Sequence, residues 1–185
     1  MKLVIGLVGE KGSGKETFVK FLKNILVNKN IAHLRFSDLL KETLKLWGIP
    51  ITRVNLQHLA VVMDRGFGDG TLAYATLKRI ESIKANIIVL DGVRWQKDVE
   101  LLKSFSNNLL IYVTAPLRIR YQRLKKRGEK TGEETSSFKQ FLKEERAKNE
   151  LLIPKIGTKA DYKIVNDGVL NKFKKSVALF AKKLN

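Results

Sequence analysis

The sequence has no cysteine. That excludes disulfide frameworks, thiolate metal sites and cysteine nucleophiles together. Histidine is nearly absent: His33 and His58 leave little room for a histidine-based metal site. Acidic residues are scarce, 18 against 36 Lys and Arg, which gives a net charge of +18. No stretch approaches the roughly 18 to 20 apolar residues that a membrane span needs. The apolar run after Met1 and Lys2 is too short for a signal peptide. A cytoplasmic protein with no membrane partner is the expectation. What is present is an ordinary globular composition. With 185 residues, 44% of them hydrophobic, the chain can bury a core, and one domain over 1–185 is expected. The positive charge is uneven, since residues 118–185 carry +11 of it. Such an excess suits an anionic partner, either nucleic acid or phosphorylated small molecules, or a solvated lysine-rich surface.

Apolar runs and helical periodicity alternate along the chain. Leu3 to Val8, Ile31 to Phe36, Asn86 to Leu90, Leu109 to Val113 and Tyr162 to Val165 read as strands. Between them, helices are expected over 16–27, from Ser37 or Asp38 to Trp47, in two pieces over 53–84, and over 96–105, 117–127, 134–151 and 170–184. The two-piece segment breaks at Gly66-Phe67-Gly68-Asp69-Gly70. This alternation predicts an α/β fold: a doubly wound parallel sheet of about five strands with helices on both faces. Ligands in such folds bind beyond the carboxyl ends of the strands.

The strongest motif follows the first strand: Gly9-Glu10-Lys11-Gly12-Ser13-Gly14-Lys15-Glu16-Thr17. Its glycines let successive N–H groups converge on phosphate oxygens, and the following helix adds its positive end. Gly9, Gly12, Ser13, Gly14, Lys15, Glu16 and Thr17 are the candidate nucleotide-binding residues, with Lys15 reaching the β- and γ-phosphates. In the strict Walker A motif a hydroxyl residue follows the lysine. Here Glu16 stands in that place and Thr17 comes one later. A carboxylate against the γ-phosphate would repel it, so Glu16 is expected to point away and Thr17 to offer the nearer hydroxyl.

From here the chain resembles the P-loop nucleotide kinases, the group of nucleoside monophosphate, deoxynucleoside monophosphate and dephospho-CoA kinases. Phe36-Ser37-Asp38-Leu39-Leu40-Lys41-Glu42 is similar to the family's Gly-Asp-hydrophobic-Leu-Arg-Glu segment, and the resemblance makes Lys41 a grip on the acceptor phosphate. Asp91-Gly92-Val93-Arg94 is similar to its Asp-Gly-Phe-Pro-Arg, one residue shorter, and closer to the Asp-Val-Arg of deoxynucleotide kinases. Arg123 to Arg127, after Ala115-Pro116, is similar to the lid arginines. Ala160 to Gly168 looks like the last strand and adenine-side loop of dephospho-CoA kinases, which brings in Asn166. The resemblance implies a P-loop kinase fold with an acceptor region at about 37–84 and a helical lid at about 118–137.

Phosphoryl transfer needs two phosphates clamped, their charge neutralised and water excluded. Asp91 ends an apolar strand and suits a carboxylate holding Mg²⁺ through water, with Thr17 as a further metal ligand; the alternative is a turn cap. Asp38 is a general base if the acceptor is a hydroxyl, a positioning group if it is a phosphate, or a helix cap. Arg94 would clamp an acceptor phosphate with two hydrogen bonds. Arg123 and Arg127, four apart, share a helix face that would close over the transferring group, with Gly128 to Gly132 as a hinge. Arg120 falls near that face and reads more readily as solvated. Asn55 and Gln57 fall in the acceptor region, while Trp47, Phe67 and Tyr74 read as core before they read as stacking platforms. The expected activity is transfer of the γ-phosphoryl group of ATP, with Mg²⁺, to a nucleotide or nucleotide-like acceptor. A nucleic-acid-associated or assembly ATPase is the rival, supported by the charge alone.

Overall fold

The computed structural model describes residues 2–68, 70–127, 137–146 and 148–184. Its centre is one sheet built from the apolar runs: β1 (Leu3–Val8), β2 (Ile31–Arg35), β3 (Ile87–Val93), β4 (Asn108–Thr114) and β5 (Tyr162–Val165). Every pairing is parallel, in the order β2-β3-β1-β4-β5. The expected α/β class, strand number and parallel arrangement all hold. Parallel strands need crossover helices, and these cover both faces.

The alternation of side chains along β1 divides the core. Ile5 and Leu7 face α1 (Lys15–Ile25) and α9 (Leu170–Ala181), meeting Phe18, Leu22, Phe173 and Val177. Val4 and Val8 face the other layer, with Ile80, Leu102, Tyr112 and Ile153. Each fully buried Leu, Ile or Phe contributes roughly 1.5–3 kcal/mol. The second layer is made by α4 (Thr71–Ser82), α5 (Gln96–Lys103) and α8 (Lys148–Gly157). Helices α2 (Phe36–Leu46) and α3 (Arg53–Phe67) lean over the carboxyl end of β2, α6 (Leu117–Arg127) follows β4, and α7 (Phe138–Glu145) precedes α8.

Three local readings change. Strand β3 runs past Leu90 to Val93, because a bulge at Gly92 lets buried Val93 rejoin the ladder opposite Val8. Helix α2 starts at Phe36, not after a Ser37 or Asp38 cap. Its N-cap is Arg35, whose backbone N–H donates to Asp38 Oδ2 at 2.9 Å; burial of Phe36 draws the first turn inward. The single helix expected over 134–151 is two, α7 and α8, and α8 continues through Pro154 because Ile153 and Ile156 are buried. The Gly128 to Gly132 hinge of the expected lid lies outside the described residues.

Gly157 ends α8 against β4. A Cβ there would come within 2.6–2.7 Å of three atoms of the Tyr112 ring. That ring cannot swing away freely, since its hydroxyl donates to Glu10. Gly157→Val therefore overpacks the site and lowers the melting temperature by roughly 5–10 °C. An unchanged thermal melt would remove this contact from the account.

Candidate active site

Because the strands are parallel, β1, β2 and β3 bring their carboxyl ends to one edge of the sheet. The Gly9–Thr17 loop leaves β1 there and enters α1. Gly14, the N-cap of α1, has φ 100°, and a Cβ on it would strike Asn166 Nδ2. Only glycine meets both demands. Ser13 N donates to Glu10 O (3.2 Å) and Phe18 N to Gly14 O (2.9 Å), which closes the turn onto the helix. The first four helix N–H groups have no intrahelical partner and give the loop its positive end.

The loop is braced from below and from the side. Glu10 is buried, and its Oε1 accepts from the Tyr112 hydroxyl and from Thr114 Oγ1 (3.3 Å). Burial and that carboxylate push the Tyr112 phenol up to about 12. Asn166, just past β5, is fully engaged: Nδ2 donates to Ser13 O (3.0 Å) and Oδ1 accepts from Arg123 Nη2 (2.8 Å). Arg123 also reaches Gly12 O at 3.3 Å, and burial lowers its pKa. Arg120 is not solvated. It is buried, donates to Ala115 O (3.1 Å) and Lys11 O (3.3 Å), and pairs with Glu145 at 2.6 Å.

Lys15 Nζ donates to Gly9 O (2.8 Å) and Glu10 O (3.2 Å). Burial pulls its pKa down, Asp91, Glu150 and Glu10 pull it up, and the result is below the ordinary value. Asp91 stands opposite Leu7 and Arg35 in the sheet. Its Oδ2 lies 3.4 Å from His33 Nε2 and 4.0 Å from Arg35 Nε. Burial pushes this carboxyl up, but His33, Lys15 and Arg35 more than offset it, and its pKa falls below the usual carboxylate value. Asp91 Oδ1 is buried and has no hydrogen-bond partner among the described residues. Glu16 forms an ion pair with Arg35, on the β2 side of the loop.

A cavity of about 790 Å³ opens beside the loop. Lys15, Arg35, Lys41, Arg94 and Arg127 supply its cations. Phe36, Leu40, Leu56, Val61, Leu72 and Trp95 supply an apolar wall. Asp38 is absent from the lining: besides the Arg35 N–H, it faces Lys41 Nζ at 3.3 Å. Arg94 points its guanidinium at Glu150, 2.6 Å away, while its N–H and that of Trp95 donate to Asp98 Oδ2 at 2.8 and 2.9 Å. Gln57 joins the lining, but Asn55 is turned to Pro50 O (2.8 Å). Trp47, Phe67 and Tyr74 are 57%, 76% and 62% exposed and belong to neither the core nor the cavity.

The structure adds His33, Arg35, Glu10, Trp95 and Glu150 to this neighbourhood. For two of them a signal was in the sequence: His33 and Arg35 are two apart on a strand, hence on one face, near its carboxyl end. Glu150, 56 residues from Arg94, gave none.

Residues 5–148 match the AAA domain family. The chain belongs to that family. This AAA domain is also 28% identical to a UPF0200 protein of Pyrococcus abyssi and 29% identical to one of Sulfurisphaera tokodaii. Both alignments cover 98% of the chain and 97% of the relative. Shikimate kinase from Bacteroides thetaiotaomicron superposes with a TM-score of 0.64 over 98% of each chain, at 14% identity. That likeness is one of fold: the AAA domain has the architecture of a P-loop kinase. A P-loop fold of this kind implies nucleotide binding. Among the described residues no helix is long and apolar enough to cross a membrane.

Proposed function

We propose that this protein is an ATP-dependent phosphotransferase. It moves the γ-phosphoryl group to a small phosphorylated acceptor, a nucleoside or deoxynucleoside monophosphate or dephospho-CoA. The observation that carries the reading is one cavity that joins Lys15 of the phosphate loop to Lys41, Arg94 and Arg127 beside an apolar wall. A cationic end and an apolar end in one cavity of this size suit a phosphate on a flat organic body. The acceptor region is 37–84, whose helices α2, α3 and α4 supply most of that wall.

In this reading Lys15 turns from the Gly9 and Glu10 carbonyls to the β- and γ-phosphates, which replace them as partners of the ammonium. The loop amides hold the same oxygens. Lys41, aligned by Asp38, and Arg94 hold the acceptor's phosphate; a monophosphate attacks through its own oxyanion and needs no strong base, whereas the hydroxyl of dephospho-CoA would pass its proton to Asp38. Arg127 reaches the cavity from α6 and offsets charge on the transferring group, while Arg123 and Asn166 keep the loop in shape. Glu16 lines the same cavity, and its pairing with Arg35 neutralises the carboxylate and holds it toward β2, away from the nucleotide phosphates.

Among the described residues no cluster of His, Asp and Glu could hold a metal by itself. A nucleotide-borne Mg²⁺ does fit: the lone buried Oδ1 of an ionised Asp91 suits a metal-bound water, and Thr17 supplies a hydroxyl. Such an ion neutralises β- and γ-oxygens. The protein's residues do the rest by positioning.

The test is a panel of nucleoside monophosphates and dephospho-CoA with ATP, scored for ADP and for phosphorylated product. ADP formed at one rate whatever acceptor is present would favour the ATPase reading instead. With the best acceptor, Arg94→Lys lowers its kcat/KM roughly ten- to a hundredfold and leaves ATP affinity within about twofold, since lysine loses the two-bond grip. Equal loss in both, or in neither, removes Arg94 from the acceptor site.

A further inference from the structure

Glu150 sits where the two halves of the site meet. It is 4% exposed, near the start of α8. Its Oε1 accepts from Arg94 Nη1 at 2.6 Å and lies 3.6 Å from Lys11 Nζ. Arg94 belongs to the cavity wall and Lys11 to the phosphate loop. Lys11 has a second carboxylate, Glu144 Oε2, at 3.8 Å, and the neighbouring Arg120 is matched by Glu145. Helices α7 and α8 thus hold three carboxylates against three cations of the site in a protein whose net charge is +18.

Arg94 cannot give the same N–H to Glu150 and to a ligand. A carboxylate carries one negative charge and a phosphate monoester up to about two. A ligand that takes the Nη1 edge of the guanidinium in a two-bond grip must therefore displace a buried carboxylate at 2.6 Å, and a neutral or weakly charged group cannot. We infer that Glu150 is a positioning residue that sets the charge threshold for the acceptor. It keeps Arg94 aligned at the cavity wall in the empty site and yields it only to a strongly anionic group, a phosphate dianion. Once released, Glu150 retains Lys11 as its counter-ion, so no buried carboxylate is stranded. This inference rests on the acceptor reading of the cavity given above.

The test needs neither turnover nor a known acceptor. Trp95 lines the cavity beside Arg94, and the only other tryptophan, Trp47, is exposed outside it. In a Trp47→Phe background, Trp95 fluorescence is titrated with inorganic phosphate in wild type, Glu150→Gln and Glu150→Asp. Glu150→Gln removes the competing charge and binds phosphate roughly tenfold tighter, the size of one charge-assisted hydrogen bond. Glu150→Asp keeps a carboxylate in place but draws it back by one methylene, loosening its 2.6 Å hold on Arg94, and gains about two- to fourfold on the same ground. If Glu150→Gln does not fold, the Glu150→Asp comparison decides alone. A residue that only supports the fold would show a loss on substitution, never a gain. Phosphate binding that is unchanged or weaker in the folded variants overturns the threshold and leaves the acceptor reading standing. No saturable response in wild type or variants overturns both.

Discussion

Lys15→Ala abolishes transfer and spares the fold. The expected loss in kcat is on the order of a thousandfold, the scale seen when one preorganised group facing a developing charge is removed. The stability side follows from the electrostatics. The folded state holds the Lys15 pKa below its ordinary value, chiefly by burial. A lysine whose folded pKa is lowered binds its proton less readily when folded, so at neutral pH its charge opposes folding. Removing it therefore takes nothing from stability. Lys15 itself lines the cavity, so truncating it opens a way for water to the Gly9 and Glu10 carbonyls that it leaves. Alanine is expected to leave the melting temperature unchanged or slightly raised. A group that costs stability and supplies function is what a phosphate-binding lysine should be. The checks are ADP formation with the best acceptor and a thermal melt of both proteins. Turnover within a few fold of wild type would end the phosphate-loop assignment.

The same physics explains which parts could be read from the residues. The runs Leu3–Val8 and Tyr162–Val165 match their strands residue for residue: the first because a central strand buried on both faces is apolar throughout, the second, at the sheet edge, because its apolar residues fall between polar turns. The phosphate loop was legible for a similar reason: its glycines, lysine and flanking elements are contiguous. What was not legible depends on partners far apart in sequence. Arg120 looked solvated because its neighbours in the chain are basic, yet Glu145 and two backbone carbonyls bury it. Asp38 looked like a cap or a base. The backbone turns it to the Arg35 N–H and to Lys41, a consequence of Phe36 entering the helix. Trp47, Phe67 and Tyr74 looked like core by type alone, and no periodicity reports that the α2–α4 layer leaves them exposed. The acids of α7 and α8 had no reading in the sequence beyond lying in a helical stretch, since nothing local marks Glu144, Glu145 and Glu150 as the counter-charges of the site.

Asp91→Asn should fail in both respects, and that contrast with Lys15→Ala makes it informative. The substitution keeps shape and removes one negative charge from among Lys15, Arg35 and His33. The Asp91 carboxyl has a folded pKa below its ordinary value near 3.8, because those three groups outweigh the burial that pushes it up. A carboxylate with a depressed folded pKa adds stability above its unfolded pKa, and that stability is lost as pH falls through the folded value. Asp91→Asn is therefore less stable than wild type at pH 7, and the gap in melting temperature closes as pH drops below about 3.8. Catalysis should fall on the order of a hundred- to a thousandfold, because the carboxylate that would hold a nucleotide-borne Mg²⁺ through water becomes a neutral amide. Mg²⁺ separates the two effects. If Asp91 only ties β2 to β3, the variant is less stable but its dependence on Mg²⁺ concentration matches wild type. If it serves the metal, the Mg²⁺ concentration for half-maximal rate rises several-fold in protein that is still fully folded at the assay temperature. Wild-type kcat with an unshifted Mg²⁺ midpoint would leave Asp91 as a structural strand-end carboxylate and move the metal to other ligands.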